Sequence, residues 1–283
     1  MSERNGLSRR ELMRLSGGAL LAAGLWPGAT CAADAADAAD AADAGGGAED
    51  FTFLCVNDLH YFDRHCVPFF EQMVRQMKAS EPKPDFCLVV GDLAEDGTAN
   101  QLGAMRDLLK TLVMPTYCVI GNHDYVTDGD RRAFEQLFPD AFNYHFEHKG
   151  WQFIGLDTTE GRKALGTSVH APTLAWLNEH APKLDNKRPT VLFTHFPMGL
   201  LVPGRPTNAN AVLEPLKDFN LQAVFNGHYH GYTERKVWRA TLTTDKCCSF
   251  HHANHDGSKE KGYFLCTAKG GRVERAFVEV KPA

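Results

Sequence analysis

Three things are scarce in this chain, and each scarcity excludes something. Positive charge is short. Thirty Lys and Arg stand against 35 Asp and Glu, giving a formal net charge of −5 and a pI near 6.2. Such a balance supplies no basic field that would draw nucleic acid by electrostatics alone, so no stable nucleic-acid complex is expected and only a local patch stays open. Long apolar runs are missing too. The best stretch, Leu15 to Trp26, is too short and too glycine-rich to anchor in a bilayer, so no membrane span is expected in the mature protein. Finally, none of the eight cysteines sits at a metal-ligand spacing, which removes the zinc-finger class. What remains is a 283-residue chain, 43% hydrophobic, able to bury one substantial core and short for two.

The amino-terminal segment stands apart in composition. Ser8-Arg9-Arg10-Glu11-Leu12-Met13-Arg14, followed by Leu15 to Trp26 and small residues around Ala29 to Ala33, resembles a bacterial twin-arginine signal peptide. Gly28-Ala29-Thr30 before Cys31 matches a lipid-attachment signal poorly. Residues 1–32 are therefore expected to be the export signal, the twin-arginine machinery a partner, and the protein periplasmic or secreted. Residues 33–49 form an Ala-Ala-Asp repeat closing on Gly45-Gly46-Gly47, a solvated linker with nothing to build a core. The globular domain is expected over residues 50–283.

Export would ordinarily suggest disulfides. Cys55, Cys87 and Cys118 instead lie inside apolar strand-like runs, where free cysteine behaves as a small hydrophobe. Folding before export also takes place in a reducing compartment. Free thiols are expected, with one late bridge among Cys247, Cys248 and Cys266 left open.

Along residues 51–138 strands alternate with helices. Strands are predicted at Phe51 to Asn57, Phe86 to Val90 and Thr116 to Ile120, with helices at Val67 to Ala79, Ala99 to Leu112 and Asp130 to Phe138. That alternation implies right-handed crossovers and a largely parallel sheet. A hairpin follows, Phe142 to Phe146 and Trp151 to Leu156, joined through Lys149-Gly150. Further on come a helix near Pro172 to His180, the strand Thr190 to Thr194, a helix near Ala211 to Phe219 and the strand Ala223 to Phe225. The tail reads as strands: Tyr232 to Trp238, Thr243 to Phe250, Gly262 to Thr267 and Arg272 to Val280. Two mixed sheets packed face to face, with helices outside, would bury both halves as an α/β four-layer α-β-β-α sandwich.

Five short clusters punctuate this plan: Asp58-Leu59-His60, Gly91-Asp92, Gly121-Asn122-His123-Asp124, His195 in Thr194-His195-Phe196-Pro197, and Gly227-His228-Tyr229-His230. The first four follow runs rich in β-branched and aromatic residues (FTFLCVN, DFCLVV, TYCVI, TVLF), which reads as buried strands delivering ligands to one rim. Two carboxylates, an amide and four imidazoles, with His123 left over, suit a pair of divalent metals. Two histidines one residue apart on an extended segment would point the same way and serve adjacent ions.

At this point the resemblance is explicit. The ordered set D-x-H, G-D, G-N-H-D, H, G-H-x-H resembles the calcineurin-like metallophosphoesterase superfamily, over roughly Phe51 to Val280. The four-layer sandwich is what this resemblance implies as well. It further implies Asp58, His60, Asp92 and His230 on one metal and Asp92, Asn122, His195 and His228 on the other, with Asp92 bridging. Two dications less two carboxylates leave a site of roughly +2, suited to a phosphate. Fe, Mn, Zn or Co would fill it. A water shared by the metals would attack phosphorus in line, with His123 serving the leaving oxygen. Asp124, or an acid from Glu95-Asp96, would orient His123, unless Asp124 only caps its turn.

His60 stands where purple acid phosphatases resemble D-x-G, and Asp124 where protein Ser/Thr phosphatases carry glutamate. The pattern is most similar to the class III cyclic nucleotide phosphodiesterase-like branch. The implied activity is phosphodiester hydrolysis on small (cyclic) nucleotides or related phosphodiesters; a broad-specificity phosphomonoesterase, a nuclease and a non-catalytic scaffold are the alternatives. Outside the pattern, His251-His252-Ala253-Asn254-His255 is a site-rim or metal-binding candidate that composition reads as a polar loop. Arg205 and Asn208 are read as a solvated loop, and Tyr229 as packing.

Overall fold

The computed structural model of the protein describes residues 47–281. The expected export signal at residues 1–32 and the linker through residue 46 lie outside the described residues. Among the described residues no helix is long and apolar enough to cross a membrane.

The first sheet has the order β11-β10-β1-β2-β3. Strands β1 (Phe51–Val56), β2 (Cys87–Val90) and β3 (Thr116–Val119) run parallel. β10 (Gly262–Lys269) pairs antiparallel with β1, and β11 (Arg272–Glu279) closes that edge. The second sheet has the order β4-β5-β6-β7-β9-β8. Its parallel centre is β5 (Trp151–Leu156), β6 (Thr190–Thr194), β7 (Leu221–Asn226) and β9 (Ala240–Thr244), flanked by antiparallel β4 (Tyr144–His148) and β8 (Thr233–Val237). Lys149 and Gly150, at φ 47° and 81°, make the two-residue turn between β4 and β5 that a right-twisted hairpin favours.

Strand period two sorts the side chains into layers. In β1, Phe51, Phe53 and Cys55 face the second sheet while Leu54 and Val56 face the helices. Phe153 and Phe193 of the second sheet answer Phe53 and Phe86 of the first; Phe53 stacks on Phe86 at 5.2 Å and Phe153 meets Phe86 edge-on at 5.1 Å. Burying each such ring contributes about 1.5–3 kcal/mol, so this inter-sheet layer is the main clamp between the halves. Outside the first sheet lie α1 (Val67–Lys78), α2 (Ala99–Lys110) and α3 (Arg132–Leu137). α1 buries Phe70, Met73, Val74 and Met77 at helical spacing, and Thr98 Oγ1 caps α2 by accepting from the Gln101 N–H at 3.3 Å. Outside the second sheet lie α4 (Ala171–His180) and α5 (Asn210–Leu213). The four-layer α-β-β-α expectation holds.

Two element expectations do not. The helix expected to Phe219 ends at Leu213 and continues only as a 3₁₀ turn, Glu214–Leu216, because Pro215 brings no N–H to an α-helical ladder. The strand expected over Thr243 to Phe250 stops at Thr244. Beyond it the chain leaves the sheet and is held one residue at a time: the Cys247 N–H donates to Asn254 Oδ1 at 3.0 Å and the Cys248 N–H to the Asn57 carbonyl at 3.1 Å. The seven described cysteines, Cys247, Cys248 and Cys266 among them, are free thiols.

Candidate metal centre

Strands from both sheets end on one rim. β1 delivers Asp58 and His60, β2 Asp92, β3 Asn122, β6 His195 and β7 the pair His228 and His230. Of nine non-glycine residues with positive φ among the described residues, five are Asp58, His60, Asp92, His228 and His230. Backbone strain is therefore concentrated at this rim, where only surrounding bonds can maintain it. The extended conformation expected for His228 to His230 is corrected accordingly. Both histidines are left-handed, at φ 67° and 49°, and the Tyr229 N–H closes a tight turn onto the Gly227 carbonyl at 2.8 Å. Gly91 is needed for closeness: at φ 79°, a Cβ there would fall onto the His195 ring.

The side chains converge in two groups that share Asp92. In the first, His60 Nε2 lies 3.0 Å from His230 Nε2 and 3.5 Å from Asp92 Oδ2, and His230 Nε2 lies 3.3 Å from Asp58 Oδ1. In the second, His195 Nε2 lies 3.3 Å from Asp92 Oδ2 and 3.1 Å from Asn122 Oδ1, which is also 3.0 Å from His228 Nδ1. All seven residues expected as ligands are thus brought together. Three of the rings are anchored through their other nitrogen: His60 Nδ1 on Glu95 Oε2 at 3.0 Å, His195 Nδ1 on the Val90 carbonyl at 3.0 Å, and His228 Nε2 on the Ala164 carbonyl at 2.8 Å. Such anchoring fixes the tautomer and aims the free nitrogen into the site.

Asp58 and Asp92 are 0% and 1% exposed, and their ion-pair partners among the described residues are imidazoles. Burial would raise the Asp58 carboxyl, but His230 and His195 beside it hold it below the usual carboxylate range. Burial likewise opposes ionisation of Asp92, and His195 foremost holds it well below that range. Burial lowers His60 and His228 to about 4. Against the same effect, Asp92 pushes His195 up to about 9 and Asp58 pushes His230 up to about 11. Two buried carboxylates are therefore balanced by two imidazolium protons, while two neutral rings offer lone pairs. Dications fit this donor set: they would take the place of both protons and find oxygen and imidazole ligands already aimed.

Comparison with known proteins names the architecture. The profile of the calcineurin-like phosphoesterases matches residues 51–232. The chain belongs to that family. A probable glycerophosphodiester phosphodiesterase of Arcobacter nitrofigilis is 31% identical over 41% of this chain and 43% of its own length. A 3',5'-cyclic-nucleotide phosphodiesterase of Nostoc is 29% identical over 45% of this chain and 47% of its own. This chain thus spans less than half the length of those two relatives; a probable cyclic nucleotide phosphodiesterase of Psychrobacter arcticus, 26% identical, is matched over 74% of this chain and 81% of its own length. In fold the protein is similar to the purple acid phosphatase PPD1 of yellow lupin (TM-score 0.63, 11% identity, 83% of this chain and 52% of that one). It is also similar to GAP50, the anchor in the inner membrane complex of Plasmodium (TM-score 0.59, 14% identity, 82% and 85%). Those two likenesses concern the fold alone.

Around this calcineurin-like rim the structure decides several open points. Asp124 caps: its carboxylate accepts from the Ala94 N–H at 2.9 Å and the Gly121 N–H at 2.8 Å. The His123 ring is oriented instead by the Glu95 carbonyl, which accepts from Nδ1 at 2.9 Å, while its main-chain N–H donates to the Asp92 carboxylate oxygen Oδ1 at 2.8 Å. A cavity of about 440 Å³ opens above the rim, lined by Asp92, His123, His228 and His230. Tyr229, expected only to pack, lines it as well, as do His252 and His255. Arg205 and Asn208 do not; Arg205 donates to the Met198 carbonyl, and Asn208 braces Val169. Sequence reasoning left His252 in a polar loop, although the doubled histidine was a usable signal. It gave no sign of Asp245, whose carboxyl burial pushes up to about 8 with Oδ2 unpartnered.

Proposed function

We propose that this domain is a dinuclear-metal phosphodiesterase acting on small phosphodiesters, with cyclic nucleotides and glycerophosphodiesters as the substrate classes to test first. The observation that carries this reading is Asp92, the carboxylate common to both donor groups, with Asn122 Oδ1 beside His195 and His228 in the second of them. In this reading Asp58, His60, Asp92 and His230 hold one ion, and Asp92, Asn122, His195 and His228 the other. Two dications of the Fe, Mn, Zn or Co type would supply the charge that activates water and neutralises the phosphoryl oxygens. The chain's own residues do the rest. The anchors on Glu95, Val90 and Ala164 keep three rings in one tautomer. His123, held through Nδ1, keeps Nε2 for the leaving oxygen, to which it gives a proton when the ring is doubly protonated. The relatives named above as cyclic nucleotide and glycerophosphodiester phosphodiesterases support this choice over a monoesterase. The acidic overall charge disfavours a nuclease.

Metal analysis together with hydrolysis of bis-p-nitrophenyl phosphate tests the reading. The protein should bind a pair of ions at this rim, and Asp92→Asn should lose both along with activity. Full metal content and activity in Asp92→Asn would remove the bridging role, and an inert metal-free wild type would favour a scaffold. A panel of cyclic AMP, a glycerophosphodiester, a phosphomonoester and single-stranded DNA then separates the enzyme classes. Export through the twin-arginine route is a further part of this proposal and rests on Ser8 to Arg14 alone.

A further inference from the structure

We propose that Glu95, His251 and His252 form an additional cation site beside the dinuclear rim, taking a zinc-type dication. Glu95 Oε2 lies 2.7 Å from His252 Nε2, 3.4 Å from His251 Nε2 and 3.0 Å from His60 Nδ1. One carboxylate oxygen offers about two lone-pair directions, so three ring nitrogens oversupply it. Among the described residues the other oxygen, Oε1, has only His123 Nδ1 at 3.7 Å, and that nitrogen is already bonded to the Glu95 carbonyl. Among the described residues every ion-pair partner of Glu95 is an imidazole. A cation resolves the crowding, because neutral His251 and His252 then present lone pairs to the ion instead of competing N–H groups to one oxygen. Two imidazoles and a carboxylate with an open position are a donor set that zinc accepts.

Access is available: the side chains of His251, His252 and Glu95 are 35%, 29% and 19% exposed. The site also has a line to the rim. Glu95 anchors His60, and the His252 ring lies over that of His60 with centroids 4.1 Å apart. A cation on Glu95 would draw charge away from the carboxylate that holds the His60 N–H, and so weaken His60 as a ligand. Zinc in excess would thereby temper the dinuclear centre.

The test uses untagged full-length protein, loaded with excess zinc and desalted, with metal content read by mass spectrometry and affinity by calorimetry. Three equivalents are expected in the wild type and two in His251→Ala/His252→Ala, whose fold is checked by circular dichroism. His251→Gln, at the most exposed position, should weaken the third equivalent by at least the roughly tenfold that losing an outer-shell partner costs. Two equivalents in the wild type, or three retained in the double variant, overturn the site and leave the dinuclear reading standing. Fewer than two in the wild type overturns both.

Discussion

Gly91→Ala tests how closely the backbone of one sheet is fitted to a ligand from the other. Gly91 sits at φ 79°, where alanine costs about 1–2 kcal/mol in strain alone. In a domain of this size each kcal/mol moves Tm by about 2–4 °C, so strain by itself predicts a fall of roughly 2–8 °C. The larger effect is local. The added Cβ would overlap Nδ1, Cγ and Cβ of His195, a fully buried ring. His195 cannot swing away cheaply, because Nδ1 is held by the Val90 carbonyl and Nε2 faces Asp92 and Asn122. Relief requires a shift on the order of an ångström, and a misplacement of that size costs roughly 10²-fold in rate. Gly103→Ala in α2 is the control: nothing lies within 4 Å of its Cβ position, so it should stabilise by about 0.5–1 kcal/mol. Calorimetric Tm, metal content and kcat/KM on bis-p-nitrophenyl phosphate are measured on both. Gly91→Ala with wild-type activity and full metal content would refute the argument that the absent Cβ positions His195.

Other expectations follow from the same geometry. His123→Ala should keep its metals yet lose rate by roughly 10²–10⁴-fold, least for a p-nitrophenolate leaving group that needs no proton; an equal loss on an alkoxide leaving group would remove the proton-donor role. Asp245 has its folded pKa near 8 against an ordinary 3.8, so its contribution to stability is full below about pH 4 and is lost as pH rises towards 8. Asp245→Asn should therefore flatten the pH dependence of the metal-free unfolding free energy between those limits, by up to about 1.4 kcal/mol per pH unit in denaturant titrations; an unchanged slope would refute the assignment. Arg9→Lys with Arg10→Lys should strand folded, active protein in the cytoplasm, as cell fractionation will show. Efficient export of that double variant would withdraw the twin-arginine reading, and with it the folding-before-export argument for free cysteines.

What was legible in the sequence, and what was not, divides by the kind of interaction. Five of the seven rim residues, Asp58, His60, Asp92, Asn122 and His195, could be found because each is a distinctive side chain placed after a strand announced by its own β-branched and aromatic run; His228 and His230 were found by the G-H-x-H pattern itself. Their anchors could not. The carbonyls of Val90 and Ala164 are groups that every residue possesses, and only tertiary structure brings them to His195 and His228. The left-handed turns at His228 and His230 had no local signal either. Histidine does not call for positive φ as glycine does, and here the His228 N–H is drawn onto the Asp58 carboxylate at 2.9–3.0 Å from a residue 170 positions away. The segment after Thr244 misled for the complementary reason. Its apolar character resembled a strand, but Cys247 and Cys248 are buried in a loop whose N–H groups go to Asn254 and Asn57 instead of to a sheet ladder. In each case local preference yields where long-range bonds meet at the site, which is where a fold built from consistent local choices is expected to depart from them. The same reasoning restores weight to His251 and His252. A loop drawn off its sheet and held residue by residue has been given a position, and that position places two imidazoles on Glu95.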